Sequence, residues 1–262
     1  MGNIVEVPTI FGLIFNGTVM AFKSYDINNE NLYDHFLENN GGVLKPRDGY
    51  DGFEVYIFKV KDNCLVYKNK KFTKQEFDNL VIGLDNFIIQ KLIIQNDFEN
   101  SLFSGTLNTI RIISVRKKDS NEHEIIGALQ RIGTNRSLPV DNFAQGGGSA
   151  IIDVDTGKMS SMTCFDSFDD NGSRIFYDFH PDSHAQIKDT IIPNWENIKS
   201  EIIKITKLLP LFNYIAWDVA LVPGGIAIIE TNMKSSLYVF QVHGGMKNKL
   251  LGKKYKEYGY IK

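Results

Sequence analysis

The sequence predicts an α+β protein built as two lobes. Its 262 residues, at about 150 per domain, ask for one large domain or two smaller ones. Helical and strand periodicities are interleaved in the first ninety residues. Beyond residue 100 strands dominate and one long helix accompanies them, the pattern of a sheet with a helix on one face.

In the first lobe, Leu32, Phe36 and Leu37 recur at helical spacing within 29–39, and Thr73 with Glu76 forms a capping box that opens a second helix running to about Leu84. Between them, 53–60 and 64–72 read as a hairpin turning at Lys61-Asp62-Asn63. Residues 87–94 form an apolar run interrupted only by Gln90 and Lys91, which predicts a strand leading out of this lobe. In the second lobe strands are predicted at 107–115, 125–132, 150–154, 158–164, 217–222 and 226–230, and Asp155-Thr156-Gly157 and Pro223-Gly224-Gly225 supply the turns. A helix over 194–209 carries Ile198, Ile202, Ile205 and Leu209 on one face and stops at Pro210. The eighteen residues after Gly244, with six lysines and one glutamate, read as a solvated end.

Charge and cysteine usage remove several function classes. A formal net charge of −2 gives no bulk attraction for a phosphate backbone, so no nucleic-acid partner is expected. Cys64 and Cys164 stand far apart without metal-ligand spacing, which points to a reducing, cytoplasmic setting. No run approaches the roughly 18 apolar residues of a membrane span. His180 and His184 are four apart, but no glutamate stands beside them as a zincin requires, and no Gly-x-Ser-x-Gly occurs.

Three constellations carry chemistry. If residues 223–225 form a three-residue loop, Asp218 faces Glu230 across a hairpin and Asn232 lies on the same face, a hard-oxygen set suited to Mg²⁺. A two-residue loop instead shifts the register by one and turns Asp218 to the other face. Lys45 ends a predicted strand ahead of a glycine loop that includes Asp48, Gly49 and Gly52, where backbone amides and a lysine can hold phosphate, or where glycines merely make a turn. Arg111 and Arg131 lie inside otherwise apolar strands, with Asn108 and Asn142 near them in sequence and Gly146-Gly147-Gly148 following. Guanidinium groups there suit an anionic ligand, or an outward strand face.

In this order the motifs resemble those of ATP-grasp proteins, most closely the sugar-transfer-associated ATP-grasp family, over nearly the whole chain. The resemblance is carried by Val43-Leu44-Lys45-Pro46 with its glycine loop, the hinge strand of 87–93, Leu107-Asn108-Thr109-Ile110-Arg111, Arg131, Val140-Asp141-Asn142-Phe143 with its glycines, and Asp218…Glu230-x-Asn232. It implies an ATP-grasp fold in which a small lobe, 1–92, and a large lobe, 93–262, grip ATP between antiparallel sheets. It also implies ATP-dependent carboxylate–amine ligation through an acyl phosphate, with one or two Mg²⁺ ions on Asp218, Glu230 and Asn232. Lys45, Asp48, Gly49, Gly52 and Asn108 are then expected at the nucleotide, with Gln90, Lys91, Leu92 and Ile93 at its adenine edge. Arg131 is expected at the transferred phosphoryl group, and Arg111 and Asn142 at the carboxylate or its acyl phosphate.

The family's association with sugar transfer implies surface-polysaccharide assembly, with a sugar acid and an amino acid as small-molecule substrates. The chain departs from the family pattern in having Lys91 where glutamate is usual and in the acidity of the loop. It starts about where the ATP-binding lobes begin, so the N-terminal lobe of many ATP-grasp ligases is expected to be absent, replaced by a partner chain or made unnecessary by a large acceptor. A kinase on the same fold, or a non-catalytic nucleotide-binding module, is the alternative.

Overall fold

The computed structural model describes residues 4–48, 54–118, 120–233 and 235–261. Two compact units account for the chain: one is 8–94, and the other joins 1–7 to 95–262. The first strand, β1 (Ile4–Glu6), belongs to the larger unit, and the chain then enters the smaller one.

The smaller unit opens with a hairpin of β2 (Ile10–Phe15) and β3 (Thr18–Ala21). Its turn is Asn16-Gly17, both at positive φ (46° and 73°), the two-residue geometry whose twist matches the flanking strands. The sequence reading passes over this hairpin, although Asn-Gly between apolar runs signals it. There follow α1 (Leu32–Glu38), β4 (Gly41–Pro46), β5 (Tyr56–Lys61), β6 (Cys64–Tyr67), β7 (Lys70–Phe72), α2 (Lys74–Ile82) and β8 (Phe87–Lys91). The expected second strand at 64–72 is cut in two because Lys68 and Asn69 both take positive φ and turn the chain. The capping box at Thr73 and Glu76 is formed in both directions. All neighbours in the sheet are antiparallel, in the order β3-β2-β8-β4-β5-β6-β7. One face of this sheet and the two helices bury Leu44, Phe58, Leu65 and Ile89 with Phe36 and Phe77.

The larger unit contains α3 (Asp97–Leu102), β9 (Thr109–Arg116), β10 (His123–Ile132), β11 (Gly148–Ile152), β12 (Thr163–Cys164), α4 (Trp195–Thr206), β13 (Tyr214–Val222), β14 (Gly225–Asn232), α5 (Tyr238–Gln241) and α6 (Leu250–Glu257). Its sheet runs β1-β14-β13-β9-β10-β11-β12. β1 lies parallel to β14, with Ile4 opposite Gly225 and Glu6 opposite Ala227, so this strand forms the edge of the larger unit's sheet. The strand expected at 158–164 shrinks to Thr163–Cys164. Ser160 is the reason: its hydroxyl, not a backbone carbonyl, accepts the amide of Ile151 at 3.0 Å, which interrupts the ladder.

Each face of this sheet has its own cover. Ile198 and Ile202 of α4 pack with Ile112, Ala128, Trp217 and Val219 on one side. On the other, Phe240, Leu251 and Tyr255 cover Ile113, Val115, Leu129 and Ala216. The lysine-rich tail is therefore not a solvated end. Lys253, Lys254 and Lys256 ride on an amphipathic helix whose Leu251 and Tyr255, four residues apart, turn inward together. By composition the lysines outweigh those two residues, which is why the segment reads as a free tail. No helix among the described residues is long and apolar enough to cross a membrane.

Candidate active site

The β13–β14 hairpin sets the site. Its turn is the two-residue form: Val222 pairs with Gly225, leaving only Pro223 and Gly224 in the loop. The three-residue loop expected from the sequence does not form. Regular pairing from that turn would place Ile229 opposite Asp218, but Val219 pairs with Ile228 and Asp218 with Glu230. Ile229 is thus the extra residue of a β-bulge, and it returns Glu230 and Asn232 to the face of Asp218. Asn232 pairs with Ala216 on that face.

Asp218 has a buried side chain and is enclosed by two guanidinium groups. Arg111, directly opposite it on β9, donates through Nε to one carboxylate oxygen and through Nη2 to the other at 2.8 Å. Arg131 donates to Oδ2 at 3.0 Å and, through its other nitrogen, to Asp141 Oδ1 at 2.8 Å. Thr109 donates its hydroxyl to the remaining oxygen of Asp141, and Ser235 accepts from Arg111 at 2.7 Å. Two arginines held this way meet the requirement that buried charges be paired. Burial pushes the Asp141 carboxyl above its ordinary range, with Arg131 and Thr109 opposing.

Glu230 is exposed and Asn232 half-buried, two residues apart on one face, which suits a hard cation. Asp218 already gives both oxygens to arginine, so a cation there competes with two guanidinium groups. Among the described residues no group of three or more His, Cys, Asp or Glu side chains gathers to hold a metal.

Asn108 is fully buried with its capacity spent. Its amide donates to the carbonyls of Glu99 (3.0 Å) and Phe103 (2.9 Å), and its oxygen accepts from Thr106 and from the amide of Gly133. It braces the start of β9. Asn142 caps the short 3-10 turn Phe143–Gln145 by accepting the amide of Ala144 at 2.7 Å. The close approach at Gly147 needs a glycine, since a Cβ there meets the Asp141 carbonyl at 2.5 Å. His180, fully buried, bonds the Gly133 carbonyl at 2.8 Å and stacks on Phe103, as a core histidine does.

In the smaller unit, Lys45 pairs with Ile88, which pairs with Leu13, which pairs with Met20. This row lies on the sheet face opposite the aromatic core, and Val43 and Gln90 lie on it one row away. Lys45 therefore stands among half-exposed aliphatic side chains. Gln90 is buried on that face, while Lys91 ends the strand exposed and Leu92 and Ile93 follow it buried and outside the strand. Asp48 is exposed and accepts from Asn86 at 2.7 Å. Gly49 and Gly52 lie outside the described residues.

Sequence reasoning missed the partners. Asp141 entered only as a letter of a motif, and Thr109, Ser235 and Glu99 not at all as members of a network. Glu99 is completely buried, accepts from Gln130 at 3.0 Å, and is pushed up to about 8 by burial, against hydrogen bonds from Gln130 and Asn108 and with Asp141 adding to the rise. Among the described residues its Oε1 and the Oε1 of Gln130 have no partner.

Two sheets built mainly of antiparallel strands, an Asp…Glu-x-Asn hairpin and paired arginines define an ATP-grasp protein. The chain belongs to the sugar-transfer associated ATP-grasp family, whose sequence model matches residues 2–253. No curated protein matches it. Among solved structures it is similar to a D-alanine–D-alanine ligase from Bacillus anthracis (15% identity, 97% of this chain and 57% of that one, TM-score 0.41). It is also similar to an ATP-grasp ligase of Chryseobacterium gregarium in complex with ADP and with leader and core peptides (10%, 97% and 55%, 0.42). A third is the macrocyclase MdnC of Microcystis aeruginosa bound with a precursor peptide (13%, 97% and 55%, 0.42). The chain spans little more than half the length of these structures.

Proposed function

We propose that the protein is an ATP- and Mg²⁺-dependent carboxylate–amine ligase that works through an acyl phosphate, in the cytoplasmic assembly of a surface polysaccharide or related sugar conjugate. The observation that carries this reading is the convergence of Arg111 and Arg131 on one carboxylate, on the sheet face that also presents Glu230 and Asn232. Such a face can hold and neutralise an anion whose charge grows during reaction. The family supports the nucleotide and the ligase class, and the sugar acid and amino acid are inferred from the family's description alone.

In this reading Lys45 neutralises the non-transferring phosphates. Glu230 and Asn232, with Asp218 beside them, hold Mg²⁺, which supplies charge neutralisation at the phosphates when bound. Arg131 turns toward the transferred phosphoryl group, and Arg111 with Asn142 holds the carboxylate. Catalysis is then positioning and charge compensation, with no protein nucleophile.

The test is hydroxylamine trapping. Purified protein with Mg-ATP is offered D-glucuronate, D-galacturonate and the proteinogenic amino acids, one at a time, with hydroxylamine as nucleophile. A hydroxamate with matching ADP and phosphate is expected for one or a few carboxylates. A phosphorylated hydroxyl product without hydroxamate makes it a kinase, and nucleotide binding without ADP release makes it a binding module.

A further inference from the structure

Arg131 shares a cross-strand row with Ser149 of β11 and Thr163 of β12, on the face that carries Asp218. Ser149 is fully buried, and its hydroxyl lies 3.0 Å from Nε2 of His243, just past the end of α5. The ring of Phe176 packs 5.7 Å from the imidazole. The carboxylates of this face are already engaged: both oxygens of Asp218 and both of Asp141 accept hydrogen bonds, and Glu230 is assigned to the cation. Glu99 bonds Gln130, whose side chain lies on the opposite face. His243 is hydrogen-bonded to Ser149, the residue directly across the strands from Arg131.

We propose that His243 takes the proton released when the amine attacks the acyl phosphate, an assignment that rests on the ligase reading above. The amine nitrogen forms a bond to the acyl carbon, the ammonium so formed gives its proton to the imidazole, and the carbon–oxygen bond breaks with its electron pair leaving on phosphate. Ser149 orients the ring. Burial, with Lys249 and Arg174 as the nearby cations, pushes the free imidazole down to about 4, so the ring enters the cycle neutral. An anionic acyl phosphate at Arg131 opposes those cations and strengthens the ring as a base when the substrate is in place.

The experiment compares two nucleophiles on the full chain with the carboxylates named above. Hydroxylamine and ammonia both attack as free bases, but the hydroxylamine adduct is acidic enough to shed its proton to water, whereas the more basic ammonia adduct needs an acceptor. For His243→Gln the amide-to-hydroxamate ratio is expected to fall on the order of 10²–10⁴ and to recover as pH rises. If that variant does not fold, Ser149→Ala, which keeps the ring, is expected to lower the amide-to-hydroxamate ratio. Equal losses of amide and hydroxamate, or an unchanged ratio, overturn the assignment. A wild type that forms no hydroxamate with any of these carboxylates overturns the ligase reading, and this assignment with it.

Discussion

Asp218 and Glu230 face one another, yet their surroundings differ: one is enclosed by two guanidinium groups and the other is exposed. Removing one partner of a buried ion pair typically costs about 3–5 kcal/mol, so Asp218→Asn is expected to lower stability by that order in urea titration. Glu230→Gln should leave unliganded stability within about 0.5 kcal/mol yet abolish the rise in Tm given by Mg-ATP. If Glu230→Gln keeps that rise, Glu230 does not hold the metal. Arg131→Ala is expected to lower kcat on the order of 10²–10³ with little change in KM for ATP, and Lys45→Ala to act mainly on KM, both read from steady-state kinetics. Glu99 gives a pH test. Its folded pKa is raised, so the folded chain holds a proton that the unfolded chain releases above the ordinary glutamate range, and stability is lost as pH rises from about 4.5 toward about 8. Glu99→Gln should flatten that slope and stabilise by a few kcal/mol at pH 8, while at pH 4 the two proteins should differ little. A Tm difference that stays constant with pH refutes this. Arg111, Arg131, Asp218 and Glu230 stand out in the sequence as charged residues in or at the end of apolar strands, and Asn232 as a polar residue two places further on. Asp141 and Glu99 were not, because no local period links residues 32 or 31 positions from their partners.

Elements were legible where one residue type forces the geometry, as at the capping box of α2; the long helix α4, expected to run to Leu209 and stop at Pro210, ends earlier, at Thr206 with Lys207 as its cap. Elements were misread where two signals compete. The Pro-Gly-Gly turn allows either loop length, and only the ladder beyond it, with Ile229 bulged, decides which face Glu230 takes. In α6 the lysines outweighed Leu251 and Tyr255, although the burial of those two residues over β9 and β10 is what holds the helix in place. Leu251→Ala is expected to cost about 2–4 kcal/mol, whereas Lys253→Ala, on an exposed position, should stay within about 0.5 kcal/mol. Equal effects by chemical denaturation would mean that the helix is held by its charges.

Across the whole molecule, the two units differ in how the chain builds them. Residues 8–94 are continuous and enclose their own aromatic core, so that segment alone is expected to unfold in one cooperative transition. A chain of 95–262 lacks the strand that covers the outer edge of β14 and is expected to be less stable and more prone to associate through that bare edge. Supplying residues 1–7 as a peptide should raise its Tm, and no rise would mean that β1 contributes little. The order of synthesis gives this arrangement a further consequence. Ile4 leaves the ribosome well ahead of its partner Gly225, which is made more than two hundred residues later. During translation the smaller unit can close early while the strand before it waits unpaired. Three residues are too few to nucleate a sheet by themselves, and Pro8, which lacks an amide hydrogen, stands two residues past the strand. A nascent chain interrupted before residue 225 therefore carries a finished small unit and a larger one that cannot complete its sheet, so the face that presents Asp218 and Glu230 is not assembled until the last hairpin of that sheet has been made.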